Sequence, residues 1–105
     1  MSDSSQRITL QQAVQMTTRA REQKLLPINA WHFDRAVIDE ILAAPNVAGI
    51  RIYLGVNDDN APNVVVVATN AAGADLVASP IAEKGRPCPP YCDDESPLNG
   101  ARRSE

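Results

Sequence analysis

Gly49-Ile50-Arg51-Ile52-Tyr53-Leu54-Gly55-Val56 and, after a polar loop, Val64-Val65-Val66-Val67-Ala68-Thr69 decide the fold. In the first stretch Ile50, Ile52, Leu54 and Val56 fall on one side of a two-residue period, and Arg51, Tyr53 and Gly55 on the other. That alternation is the signature of a strand with one buried face. The second stretch is a β-branched run that is apolar on both faces. Between them, Asn57 to Asn63 collects Asn, Asp and Pro, which bond their own backbone or preset a turn. Strands over 47–56 and 64–69 therefore form an antiparallel hairpin. Asn70 to Asp75 reads as a second turn with Gly73 supplying a positive φ, leading into a short third strand near 75–78. The expectation is a three-stranded meander.

Upstream the period changes to that of helices. Thr9 precedes Gln12 by three residues, the spacing of a capping box, so a helix starts there. Leu10, Ala13, Val14 and Thr17 follow at helical spacing, and Pro27 ends the helix by about Lys24 or Leu25. After a connection from Pro27 to His32, the residues Phe33, Val37, Ile38, Ile41 and Leu42 form a second apolar stripe, closed by Pro45. Two amphipathic helices followed by a meander imply an α+β domain, with the helices covering the face that carries Ile50, Ile52 and Leu54. The opposite face shows Arg51, Tyr53 and alternate valines, and a partner subunit or the tail is expected to cover it.

Composition bounds the function classes. A chain of 105 residues supports one core, and with aromatics at 4% that core must be aliphatic. Ten Lys and Arg against thirteen Asp and Glu leave a formal charge of -3, which offers no electrostatic footprint for nucleic acid. No apolar run approaches the roughly 20 residues of a membrane helix. Met1 to Arg7 lacks the regions of a signal peptide, so a cytoplasmic protein is expected.

Residues 1–7 are polar and small and are expected to be disordered, residues 8–79 carry the domain, and residues 80–105 form an extended tail. Five of the eight prolines lie in that tail, at 80, 87, 89, 90 and 97, and hydrophobic periodicity disappears there. Pro89-Pro90 favours polyproline II, a conformation with little entropy left to lose on docking. The extreme end, from Asn99 onward, reads as disordered.

The tail also holds both cysteines. Cys88 and Cys92 are spaced so that their side chains can stay as thiols, converge on a metal or close a small disulfide ring. A zinc site needs four ligands. His32 is the sole histidine and the natural third ligand, with Asp93 or Asp94 as weaker oxygen donors. A second copy could complete the set across a two-fold axis. A redox role lacks the Cys-x-x-Cys spacing and a following helix. His32 beside Trp31 and Phe33 reads first as a capping or packing residue, and Trp31 as a core or interface anchor. The loop at 57–63 lacks the Gly and the closing Glu of a calcium loop. Gly73 and Gly85 are isolated and make no phosphate cradle. No catalytic constellation is visible.

Gly49 to Tyr53, the turn from Asn70 to Asp75 and the segment from Glu83 to Cys92 together make the chain resemble small uncharacterised bacterial proteins that end in a similar Cys-Pro-Pro-aromatic-Cys segment. The resemblance implies no activity, cofactor or partner. The leading expectation is a non-catalytic protein-binding or self-assembly module that uses its sheet face and Pro-rich tail. Its contact residues are Trp31, Tyr53, Pro89, Pro90 and Tyr91. The alternative is a metal-binding (zinc) or thiol-redox module built on Cys88, Cys92 and His32.

Overall fold

The computed structural model describes residues 6–101. The expectations for residues 1–5 and 102–105 lie outside them. Thr9 caps the first helix, α1 (Leu10–Gln23): its hydroxyl accepts the Gln12 amide, while the Gln12 side chain accepts the Thr9 N–H at 2.9 Å. Lys24 then turns left-handed, at φ 51°, and its N–H closes the last turn on Ala20. Both ends of α1 lie where the capping box and Pro27 place them. The next helix, α2 (Arg35–Leu42), has its N-cap at Asp34 and starts two residues later than its apolar stripe suggests, because Trp31 and His32 belong to a short strand, β1 (Ala30–His32).

The hairpin forms as expected. Strands β2 (Gly49–Val56) and β3 (Pro62–Thr69) pair antiparallel in the register Ile52↔Val66, with Asn57 and Asn60 building the turn through backbone and side-chain bonds. The third strand lies elsewhere than the turn signals suggest. Asp75 makes only an isolated bridge to Thr69, and the partner of β3 is β4 (Ile81–Ala82), drawn from the Pro-rich segment. Leu76 N–H bonds Ala68, the chain turns at Ser79, and only after Pro80 does it run alongside β3 again.

The remaining tail is folded too. Strand β5 (Arg86–Cys88) pairs with β1 to make a separate two-stranded sheet, and a 3-10 turn, η1 (Pro97–Asn99), packs against α1. The architecture is thus α+β with two antiparallel sheets, of orders β1-β5 and β2-β3-β4.

The core sits between α2 and the β3-β4 side of the larger sheet, where Ile41, Val66, Ala68 and Ala82 are buried and Phe33, Val37, Val47 and Leu76 close around them. Ile41 is fully buried. Helix α1 contributes no buried residue and rests on η1 instead of the sheet. Among the described residues a single eight-residue helix therefore covers a three-stranded face, and it lies over β3 and β4. Ile50, Ile52, Leu54 and Val56, expected beneath helices, are 45%, 60%, 65% and 67% exposed.

Candidate functional site

Two places gather the residues that remain unexplained by the core. The first is strand β2. It lies at the edge of its sheet, bonded to β3 on one side only. The direction of its backbone groups follows from the hairpin. Asn57 N–H donates to Ala61 C=O at 2.9 Å, and this pair continues the Val56↔Pro62 register. Bonded and non-bonded pairs alternate along an antiparallel ladder, so Gly55, Tyr53 and Arg51 also exchange bonds with β3. Ile50, Ile52 and Leu54 accordingly aim their N–H and C=O away from the sheet. Their opposite number Ala68 agrees, since its carbonyl is bonded by Leu76 on the far side of β3.

The same three residues, with Val56, carry the exposed apolar row, and Leu42, on α2, is also exposed, at 52%. On the other face of β2, Arg51 Nη1 donates to Gly73 C=O at 3.0 Å and bridges Asp75 at 2.5 Å, while the Tyr53 hydroxyl donates to the other Asp75 oxygen. The hydrogen bond from Tyr53, joined by the Arg51 guanidinium, holds the Asp75 carboxyl below its ordinary range. The same Asp75 bond raises the Tyr53 phenol and the Arg51 guanidinium. The charge of Arg51 is thereby matched within the chain.

The second place is the Cys-Pro-Pro-Tyr-Cys segment. Cys88 and Cys92 form a disulfide with their Cα atoms 4.8 Å apart, Cys88 buried and Cys92 half-buried. Pro89 and Pro90 lie exposed in a turn closed by Tyr91 N–H on Pro87 C=O at 2.7 Å, with cis bonds before both prolines. This replaces the expected polyproline II stretch. Tyr91 meets the His32 ring edge-on at 5.3 Å and has the Arg86 guanidinium over its face, and Arg86 in turn reaches Asp34 at 3.3 Å. A mostly apolar cavity of about 300 Å³ opens beside the disulfide, between α1 and the tail, lined in part by Thr17, Ala30, Tyr91 and Leu98.

The residues singled out for metal are divided by this arrangement. Cys88 and Cys92 are bonded to each other, and His32 Nδ1 faces Asp34 at 3.8 Å. Among the described residues no three of His, Cys, Asp and Glu are grouped to hold a metal ion. Trp31 acts as an internal anchor: its Nε1 donates to Pro62 C=O at 3.1 Å, tying β1 to the start of β3. Tyr53 stands on β2 within the Asp75 cluster, whereas Tyr91, Pro89 and Pro90 stand at the surface around the disulfide.

Sequence reasoning missed Asp75 as a partner of Arg51 and Tyr53, and it missed Asn63. Asn63 is buried, and its amide clasps Gly85 from both sides: Nδ2 donates to the Gly85 carbonyl at 3.0 Å and Oδ1 accepts the Gly85 N–H at 3.2 Å. The signal for Asp75 was the period of two, which puts Arg51 and Tyr53 on one face. Nothing local marks Asn63. Comparison of the chain with protein-family models, curated proteins and solved structures finds no match, so the functional reading rests on the geometry of these two places.

Proposed function

We propose that this chain is a non-catalytic self-assembly or protein-binding module whose contact surface is the free edge and apolar face of β2. The observation that carries this reading is the row Ile50, Ile52, Leu54 and Val56, exposed beside backbone groups that have no partner within the sheet. Such an edge templates strand addition, and sheets that stay alone guard it with Pro, Lys or a bulge. Residues 49–56 contain neither Pro nor Lys, and the single charge, Arg51, is turned onto the other face. The tail, fastened to its own domain by β4 and β5, adds Pro89, Pro90 and Tyr91 as a separate exposed patch.

Sedimentation of the full chain tests this reading. Association should rise with concentration, and the double variant Ile50→Lys with Leu54→Lys should weaken it by about 100-fold, since juxtaposed like charges cost several kcal/mol. Both positions are exposed within one copy, so the variant keeps its circular dichroism. A wild-type chain that stays monomeric over the whole concentration range removes self-assembly.

A thiol-redox module is the second reading, favoured by a disulfide that spans four residues at the edge of a cavity. Alkylation in graded thiol buffers decides it. A redox module titrates near the glutathione poise, whereas a structural staple stays oxidised to below about -300 mV.

A further inference from the structure

We propose that Cys92 is a thiolation site: a small organic thiol with an apolar body opens the Cys88–Cys92 disulfide at Cys92 and lodges that body in the cavity beside it. This rests on the thiol-redox reading and names the sulfur attacked and the class of thiol. Cleavage of a disulfide by a thiolate depends on which sulfur can be reached. Cys88 sits in β5, paired with Ala30 of β1, and is only 4% exposed, whereas Cys92 follows the Pro89-Pro90 turn and is half-buried.

The incoming thiolate therefore bonds to Cys92 Sγ, and the Sγ–Sγ bond breaks with its electron pair on Cys88. The proton shed by the incoming thiol is regained by Cys88, so the thiol itself is the reductant and no other reactant is consumed. Asn99 Oδ1 lies 3.7 Å from Cys88 Sγ, placed to accept the S–H that forms.

The cavity decides what kind of thiol stays. Both cysteines line it, so a group joined to Cys92 starts at its wall. At about 300 Å³ it stands at the small end of ligand sites and suits a compact body. Ala20, Ala30, Tyr91 and Leu98 give it apolar walls. Its two charged residues are of opposite sign and already engaged: Arg21 donates to the Leu98 carbonyl and the Thr18 hydroxyl, and Asp93 Oδ1 accepts the Glu95 N–H. Burial of apolar area is left to do the selecting.

Benzyl mercaptan and 2-mercaptoethanol are the probes. The full chain is equilibrated with each, quenched in acid and capped with N-ethylmaleimide, and the adduct is placed by peptide fragmentation. In the folded chain the probe should sit on Cys92 and the maleimide on Cys88 by about ten to one, because access differs. Relative to the same chain in urea, benzyl mercaptan should give roughly ten-fold more adduct than 2-mercaptoethanol, the worth of about two buried methylenes. Ala20→Phe, at an exposed position that lines the cavity, should erase that preference and keep the circular dichroism.

Equal labelling of the two sulfurs, or adduct mainly on Cys88, overturns the assignment to Cys92. A benzyl preference that is absent, or that survives Ala20→Phe, overturns the cavity as the seat. Either result leaves the thiol-redox reading standing. A disulfide that neither thiol opens at any excess overturns that reading as well.

Discussion

Asn63 and Gly85 show how one side chain joins segments distant in sequence. The Asn63 amide satisfies both backbone groups of Gly85, and the neighbouring Val64 N–H also bonds its Oδ1 at 2.8 Å. Asn63→Ala would leave the Gly85 groups unpaired in a buried place, a loss of roughly 1–3 kcal/mol that urea titration would register. Gly85 is equally constrained. A Cβ there would come within 2.8 Å of the Trp31 Cβ and 2.9 Å of the Phe33 ring, so Gly85→Ala should cost about 1–3 kcal/mol by overpacking.

The Tyr53–Asp75–Arg51 cluster sets a pH dependence. Asp75 is depressed in the folded state, so its contribution is complete above the ordinary carboxylate value and is lost as pH falls through the folded one. Tyr53 is raised, so its contribution is complete below about pH 10 and is lost as pH rises past it. Thermal melts should show both shoulders in the wild type. Asp75→Asn should remove the acid shoulder and shrink the alkaline one, since the same Asp75 bond produces both, and should lower stability near neutrality only by the small amount that the acid shoulder measures, because the cluster is open to solvent.

Elements differ in how plainly the chain announces them. α1 is written locally in Thr9, Gln12 and Pro27, and the β2-β3 hairpin in a period of two around an Asn- and Asp-rich turn. β4 is two residues long and β5 three, too short for any period, and both depend on partners that only the folded chain supplies. The Ile50 row was read correctly as one face of a strand, yet its burial was not legible, since the pattern specifies a face and not what covers it. α2, which covers that sheet, carries the energetic weight. Ile41→Ala should destabilise the protein by roughly 2–5 kcal/mol, whereas Val14→Ala on α1, which buries nothing fully, should have a far smaller effect; denaturant midpoints separate the two.

At the scale of the whole molecule, the Pro-rich segment expected to be an extended tail beyond the domain is a structural part of it. It supplies Ala82 to the core, pairs with β1, and receives Arg21 Nη1 on the Leu98 carbonyl at 2.7 Å. A chain ending at Ser79 should therefore lose cooperative unfolding altogether, observable as a broad, non-sigmoidal melt. Opening the disulfide is gentler. By chain entropy a loop this small is worth about 2 kcal/mol, so reduction should lower stability by that amount and leave circular dichroism near native.

The pairing of β1 with β5 and the docking of α1 on η1 also order events in time. A ribosome delivers residues 10–42 early, but the strand that completes β1 is residues 86–88 and the turn that seats α1 is residues 97–99. Neither α1 nor β1 can settle before those residues have been made. Docking of α1 and β1 is thereby deferred until residues 86–99 have been made, whereas β2 and β3, adjacent in sequence, can pair before them.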